Sequence, residues 1–96
     1  MIFVTYVLWS YKLQKRYVGS TSDLSRRLKE HNSGETPFTS RGCPWELIYQ
    51  EEFQSNIEAR KREIFLKSGV GRKWLDEQFP KYRRGGRVVE GASLEN

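Results

Sequence analysis

Residues Arg16–Asn32 read R-Y-V-G-S-T-S-D-L-S-R-R-L-K-E-H-N and predict the end of a strand, a tight turn and a helix. Tyr17 and Val18 favour a strand, and Gly19 allows a close backbone approach that a residue with a Cβ would resist. Three candidate helix N-caps follow directly, namely Thr21, Ser22 and Asp23. The rest of the chain can be interpreted around this strand–turn–helix unit.

The predicted helix carries an apolar stripe and a polar stripe side by side. Leu24 and Leu28 lie one turn apart, and so do Arg27 and His31. A strand tyrosine, an arginine and a histidine would therefore meet at one end of the unit, which suits the chemistry of a phosphodiester. The simpler interpretation is a solvated arginine pair and a histidine that favours the helix dipole.

Length and charge limit the function classes. Ninety-six residues make one domain, and a net charge of +5 with a pI near 9.6 favours a polyanionic partner, nucleic acid first. No apolar run approaches the roughly 20 residues that span a bilayer. Met1–Trp9 lacks the basic leader and cleavage site of a signal peptide, so we expect a cytoplasmic protein. Cys43 is the only cysteine, which excludes a disulfide partner within the chain.

Apolar patterning predicts three strands and three helices. The strands are placed at Ile2–Trp9, Lys15–Ser20 and Trp45–Phe53, and the helices at Asp23–Asn32, Ser55–Ser68 and Arg72–Phe79. The connector Ser10–Gln14 is too short for a crossover, so the first two strands pair antiparallel. The predicted fold class is α/β, in the narrower sense α+β, with a three-stranded antiparallel sheet flanked by helices. Residues 1–80 form the predicted domain, and residues 81–96 a flexible basic tail.

Local signals add detail to this outline. Alternation in the third strand predicts one apolar face that consists of Trp45, Leu47, Tyr49 and Phe53. Ile48 is the exception to that alternation. Gly34 is expected to end the first helix, and Gly69 and Gly71 are expected to break the second helix before the third begins.

The second helix is predicted to begin at a capping box, because Ser55–Glu58 read S-N-I-E. Glu63 follows among basic residues, namely Arg60, Lys61, Arg62 and Lys67. The simplest role for Glu63 is an i,i+4 ion pair with Lys67. Periodicity alone leaves open which side of the helix Glu63 occupies.

Taken together, these residues resemble the GIY-YIG nuclease superfamily, in particular its small stand-alone bacterial members and the nuclease domain at the N-terminus of a bacterial excinuclease. The first signature motif corresponds to Thr5-Tyr6-Val7, where only its tyrosine is kept, and the second is similar to Tyr17-Val18-Gly19. The arginine, the histidine and the metal-binding glutamate of the family match Arg27, His31 and Glu63. The match covers about Phe3 to Leu75.

The resemblance implies a metal-dependent endonuclease that hydrolyses phosphodiester bonds in DNA, in repair or recombination. It implies five catalytic residues, which are Tyr6, Tyr17, Arg27, His31 and Glu63. One divalent ion, Mg²⁺ or Mn²⁺, would be bound by Glu63. Arg27 would hold the scissile phosphate, and either tyrosine would orient or deprotonate the attacking water with help from His31.

Further contacts with nucleic acid are expected from Gly19, Ser20, Arg26, Arg41, Lys67 and Arg72. The DNA substrate would be structure-specific or non-specific, and no membrane partner is expected. Ser20 stands where the excinuclease-type domain usually has a lysine. The alternative function is a nucleic-acid-binding module of the same fold with weak or no catalysis. A binder of acidic proteins or membrane surfaces is a third interpretation that rests on net charge alone.

Overall fold

The computed structural model describes residues 1–36 and 39–83 and confirms the predicted fold class. Three strands, β1 (Phe3–Ser10), β2 (Lys15–Thr21) and β3 (Trp45–Phe53), form one antiparallel sheet in the order β2-β1-β3. The connection between β1 and β2 is a tight turn in which the Gln14 amide donates to the Ser10 carbonyl at 2.7 Å. The central position of β1 explains why its sequence is nearly all apolar, since both of its faces are covered.

Three helices flank the sheet: α1 (Leu24–Ser33), α2 (Asn56–Lys67) and α3 (Gly69–Gln78). Short 3₁₀ turns lie at Ser40–Gly42 and Pro80–Tyr82. The predicted caps of α1 are confirmed, because the Asp23 side chain accepts from the Arg26 amide and Gly34 ends the helix with φ +83°. The predicted cap of α2 is confirmed as well, since Ser55 accepts from the Glu58 amide. In the part of the chain that the structure describes, no helix combines the length and apolar character that crossing a bilayer would require.

The two faces of β1 belong to two apolar clusters. On the α1 side, Tyr6 and Leu8 pack with Trp45 and, at the margin, with Leu24 and Leu28. On the other side Val7 and Val18 pack with one residue from each of α2 and α3, namely Leu66 and Leu75. Because successive strand residues point to opposite faces, each strand delivers side chains to both layers.

The predicted apolar face of β3 is wrong, and a β-bulge is the reason. Val7 pairs with Tyr49 whereas Leu8 pairs with Leu47, so Ile48 is an extra residue in β3. Trp45 and Leu47 therefore belong to the cluster on the α1 side, while Ile48 and Tyr49 belong to the cluster on the α2–α3 side. The bulge explains why Ile48 departs from the apolar alternation in the sequence.

The predicted start of the third helix is also wrong. α3 begins at Gly69, with Ser68 as its N-cap, so Gly71 lies inside the helix. A Cβ at position 71 would lie 2.6 Å from the Leu66 Cα, whereas nothing lies within 4 Å of one at position 69. Gly71 therefore allows the first turn of α3 to pack directly on the end of α2.

The described chain continues past the predicted domain boundary at residue 80. The Tyr82 ring packs against Trp9 at 5.8 Å and against Tyr11 at 6.2 Å, measured between ring centroids. The Arg16 guanidinium donates to the Tyr82 carbonyl at 3.2 Å and to the Asp76 carboxylate at 2.9 Å. The flexible tail stays a prediction, since residues 84–96 lie outside the described residues.

Candidate active site

Tyr6 and Gly19 are cross-strand partners in the pairing of β1 with β2. A Cβ at position 19 would lie 2.7 Å from the Tyr6 Oη and 3.2 Å from the Tyr17 Cε2. The missing side chain of Gly19 therefore makes room for two tyrosine rings, whose centroids lie 6.3 Å apart. The close approach that the sequence predicts at Gly19 is thus made by side chains of this protein.

His31 of α1 completes an aromatic cluster with these two tyrosines and is fully buried. Its Nε2 lies 3.0 Å from the Tyr6 Oη, and its Nδ1 lies 3.0 Å from the Thr39 Oγ1. Its ring lies 4.7 Å from the Tyr17 ring between centroids. Burial, followed by the positive charge of Arg27, lowers the pKa of His31 below its ordinary value. The imidazole is therefore neutral at neutral pH, and one of its nitrogens can accept a proton.

Arg27 lies beside the same cluster, one turn before His31. Its guanidinium donates to Glu30 at 2.8 Å, and its side chain is 29% exposed. Burial raises the pKa of Tyr6 to about 12, with a contribution from Tyr17, while the charge and hydrogen bonding of Arg27 act in the opposite direction. Arg27 is therefore the cation that stabilises negative charge on the Tyr6 phenol.

The neighbouring Arg26 occupies a different environment. Its side chain is 67% exposed, and its Nε lies 4.0 Å from Asp23 and 3.8 Å from Glu30. Arg26 thus shares the acidic partner Glu30 with Arg27 but does not contact the tyrosines among the interactions that the structure describes.

Glu63 belongs to α2, which covers the face of the sheet opposite to the aromatic cluster of Tyr6, Tyr17 and His31. The Ser20 hydroxyl donates to one carboxylate oxygen at 2.7 Å, and Lys67 pairs with the other at 2.7 Å. The Glu63 side chain is only 12% exposed. Burial by itself raises the pKa of this carboxyl, but the bonds from Lys67 and Ser20, with the charges of Lys67 and Arg60, bring it below its ordinary value. Glu63 is therefore an ionised, oriented carboxylate at neutral pH.

Strand β2 joins the two halves of the site through adjacent residues. Gly19 lies against Tyr6 on one face, and Ser20 bonds Glu63 on the other. Glu63 also contributes to the raised pKa of Tyr6, which indicates that the two groups are within electrostatic reach of each other. The structure thus brings together Tyr6, Tyr17, Arg27 and His31, and it places Glu63 across one edge strand from them.

A divalent ion is compatible with Glu63. Among residues 1–36 and 39–83, no three side chains of the His, Cys, Asp or Glu type come together. A single carboxylate is nonetheless an ordinary protein contribution to a Mg²⁺ site, because water and substrate phosphates supply the remaining oxygen ligands. The ionised state and low exposure of Glu63 meet that requirement. Lys67, which already neutralises one oxygen, would have to share it.

The other residues predicted to bind nucleic acid lie on separate surfaces. Lys67 and Arg72 line a groove beside β2 together with Lys15 and Arg16, above a floor of Val18, Leu66 and Leu75. Arg41 lies in the 3₁₀ turn Ser40–Gly42 and is exposed. Arg26 lines a shallow depression on the outer side of α1. The groove beside β2 adjoins Glu63, because Lys67 lines the groove and also pairs with Glu63.

The sequence reasoning missed the residues that hold His31 in place from the loop after α1. Thr39 is buried and bonds the imidazole, and its carbonyl accepts from the Trp45 indole at 2.7 Å. The Cys43 thiol donates to the His31 carbonyl at 2.9 Å, and the Asn32 amide bonds the Trp45 carbonyl at 3.2 Å. These residues had no periodic signal, since loop contacts of this kind depend on the folded path of the chain.

Comparison with known proteins shows the family of this chain. The family profile of the GIY-YIG catalytic domain matches residues 2–74, a segment that contains all five predicted catalytic residues. The chain therefore belongs to the GIY-YIG family, whose members form a superfamily of nucleases that generally use a divalent metal. Its resemblance to small single-domain members is confirmed by the relatives described next.

Curated relatives and a solved structure share one name, UPF0213 protein. A UPF0213 protein of Streptococcus pneumoniae is 44% identical over 52 residues, which cover 53% of this chain and 52% of that protein. A UPF0213 protein of Streptococcus agalactiae is 40% identical over 52 residues, with 59% of that protein covered. The chain thus matches little more than half the length of these relatives. The solution structure of a UPF0213 protein from Bacillus halodurans is 32% identical, with a TM-score of 0.50 and 88% of each chain covered.

Proposed function

We propose that this protein is a divalent-metal-dependent endonuclease that hydrolyses phosphodiester bonds in DNA. The observation that carries the proposal is the hydrogen-bonded pair of Tyr6 and His31 beside Arg27, joined through Gly19 and Ser20 to the carboxylate of Glu63. Hydrolysis of a phosphodiester needs an activated water, stabilisation of phosphate charge and help for the leaving oxygen. The site holds one candidate group for each of the first two needs and a metal ligand for the third.

Arg27 is the residue that we assign to the scissile phosphate. Its guanidinium is partly exposed and fixed by Glu30, so it presents a positioned cation and not a mobile one. Two parallel N–H groups match two phosphate oxygens, a geometry that a lysine ammonium cannot reproduce. The charge on the phosphate grows in the transition state, so a fixed cation acts on the rate as well as on binding.

Tyr6 is the tyrosine that we assign to the attacking water. Its hydroxyl lies 3.0 Å from the His31 Nε2, so the proton that leaves the phenol has an acceptor in place. With its pKa raised to about 12, the phenol is a poor base unless that proton moves and a positive charge lies nearby. His31 and Arg27 supply those two conditions. Tyr17 packs against the His31 ring and is assigned to its positioning.

Glu63 would bind the divalent ion, Mg²⁺ or Mn²⁺, with Ser20 orienting its carboxylate. When bound, such an ion stabilises negative charge on the phosphate and the leaving oxygen. Ser20 occupies the position of the usual lysine, and in this chain Lys67 brings an ammonium to the same carboxylate at 2.7 Å. The local positive charge is thus supplied from α2 instead of from β2.

DNA binding is assigned to the groove beside β2. Lys15, Lys67 and Arg72 place cations along this groove, next to the Glu63 side of the site. Backbone groups of Gly19 and Ser20 lie at the edge strand between the groove and Tyr6, where a phosphate backbone would cross. Contacts of this type carry no sequence information, so a structure-specific or non-specific substrate is expected. A cytoplasmic location and a role in repair or recombination stay predictions.

The alternative is a nucleic-acid-binding module that cleaves weakly or not at all. The observation in its favour is that both key charges are already neutralised within the protein, Arg27 by Glu30 and Glu63 by Lys67. A phosphate or a metal ion must displace or share these partners. If that exchange is too costly, binding through the groove remains while catalysis is lost.

The deciding experiment incubates the purified protein with supercoiled plasmid, single strands and branched DNA, with Mg²⁺, with Mn²⁺ and with a chelator. The proposal predicts nicking that depends on either ion and disappears in the chelator and in Tyr6→Phe, while Tyr17→Phe retains part of the activity. Salt-dependent binding without any cleavage would instead establish the binding module.

A further inference from the structure

Thr39 lies at the end of a chain of hydrogen bonds that passes through the candidate site. It is fully buried, and its Oγ1 lies 3.0 Å from the His31 Nδ1 and 3.4 Å from the Thr36 carbonyl oxygen. On the other side of the imidazole, Nε2 lies 3.0 Å from the Tyr6 hydroxyl, whose pKa the charge of Arg27 acts to lower. Both ring nitrogens thus have one partner each.

The Thr36 carbonyl at one end fixes the direction of these hydrogen bonds. The positive charge of Arg27, which acts to lower the pKa of Tyr6, favours the same direction, in which the phenol directs its proton away from the guanidinium and towards the His31 Nε2. A carbonyl has only lone pairs, so the Thr39 hydroxyl donates to Thr36 and its oxygen is free to accept from Nδ1. In the reverse direction the Thr39 hydroxyl would have to donate to Nδ1 and would lose its bond to the Thr36 carbonyl, which is costly inside a protein.

We propose that Thr39 is a positioning residue that holds the buried His31 in its Nδ1–H tautomer and so leaves Nε2 free to accept the proton of Tyr6. The bonds then run from Tyr6 to Nε2, from Nδ1–H to Thr39, and from Thr39 to the Thr36 carbonyl. The consequence for catalysis rests on the proposed nuclease function. The tautomer itself is a property of the folded protein and can be measured whether or not the chain cleaves DNA.

Thr39 is held firmly enough to play this part. Its carbonyl accepts the Trp45 indole N–H at 2.7 Å, and Trp45 is part of the core on the α1 side. The Cys43 thiol, 2.9 Å from the His31 carbonyl, joins the same loop to the end of α1. The hydroxyl is therefore positioned by the core and not by the imidazole alone.

The single histidine of the chain makes a direct test possible. In the untagged protein, long-range ¹H–¹⁵N correlation spectra at neutral pH show one imidazole, and we expect a protonated-type signal at Nδ1 and an unprotonated-type signal at Nε2. A wild-type spectrum with the proton on Nε2 would overturn the proposal without any variant.

Two variants test whether Thr39 is responsible. Thr39→Val keeps the shape but removes the hydroxyl, and Thr39→Ser keeps the hydroxyl. In the valine variant we expect the proton to appear on Nε2, and we expect kcat to fall on the order of tenfold or more while KM stays nearly unchanged. The serine variant should restore both the wild-type tautomer and the wild-type kcat. A valine variant that keeps both the wild-type tautomer and the wild-type kcat would contradict the proposal. A wild-type protein with the expected tautomer but no cleavage would refute the nuclease function and leave the tautomer assignment standing.

Discussion

The Tyr6 hydroxyl occupies the space that a side chain at position 19 would need, since a Cβ on Gly19 would lie 2.7 Å from the Tyr6 Oη and 2.9 Å from its Cζ. This relationship gives a physical reason for the glycine in the Y-V-G motif. Because Gly19 has no side chain, the Tyr6 phenol of β1 can lie across the backbone of β2 and reach His31.

Gly19→Ala should therefore displace the Tyr6 ring and damage the site more than the fold. We expect a loss of about 1–3 kcal/mol in the free energy of unfolding, the range of an overpacked core, and a fall in cleavage on the order of tenfold or more. Chemical denaturation and nicking rates measure the two effects. In the Tyr6→Phe background the same alanine should cost less stability, and an equal cost would show that the phenol oxygen is not the obstacle.

Gly71 and Gly69 form a matched pair of test positions in the first turn of α3, because only Gly71 lies against the end of α2. Gly71→Ala should destabilise the protein by about 2–3 kcal/mol, because the added methyl group meets the backbone of Phe65 and Leu66. Gly69→Ala meets no atom within 4 Å and should be neutral or slightly stabilising. Urea unfolding midpoints of the two variants test this. Equal midpoints would mean that α3 does not approach α2 as closely as described.

Glu63→Gln should abolish metal-dependent cleavage while leaving the fold and DNA affinity nearly intact, because an amide keeps the shape and loses the charge that binds a cation. Glu58→Gln is the control, since Glu58 lies exposed in the first turn of the same helix. Its expected cost is about 1 kcal/mol or less of stability, with no effect on the rate. A Glu63→Gln variant as active as wild type would remove the metal assignment.

The buried neutral histidine predicts a pH dependence of stability. Because burial lowers the pKa of His31 in the folded state, the unfolded chain takes up this proton at a higher pH than the folded chain does. The free energy of unfolding should be unaffected by this group above its unfolded pKa of about 6.5, fall as the pH decreases below it, and level off below the folded pKa. Denaturation of wild type and His31→Gln between about pH 7.5 and 5.5 isolates the effect, since other groups titrate in both. Parallel curves would show that His31 is not buried in its neutral form.

Features that depend on neighbouring residues could be predicted from the sequence. The caps Asp23, Gly34 and Ser55 act within one or two turns, and the antiparallel pairing of β1 and β2 follows from a short connector. The placement of Arg27 and His31 on one stripe follows from the helix period alone. Family resemblance then selected Glu63 as the candidate metal ligand, although periodicity had left its position on the helix open.

Features that depend on the folded path of the chain could not be predicted. The extra residue Ile48 in β3 arises in the pairing with β1, which is distant in sequence. The helical position of Gly71 depends on the close approach of α3 to the end of α2. The bond between Thr39 and His31 requires the loop after α1 to fold back over the helix end. At Ile48 and Gly71 the sequence carried a local signal, a break in alternation and a glycine, but the structural cause of each was a contact with another element. Thr39 carried no such signal.

Arg26 and Arg27 test the central claim most directly, because they are adjacent, share Glu30 and differ in their proximity to Tyr6. The measurement is the single-turnover cleavage rate of Arg26→Ala, Arg27→Ala and Arg27→Lys at saturating protein, alongside their DNA affinities over a range of salt. The account predicts that Arg27→Ala loses on the order of 100-fold or more in rate, far beyond its loss in binding, that lysine restores binding better than rate, and that Arg26→Ala stays close to wild type in rate. Equal effects of the two alanine variants on rate and on salt dependence would contradict a catalytic role for this helix and establish the protein as a binding module.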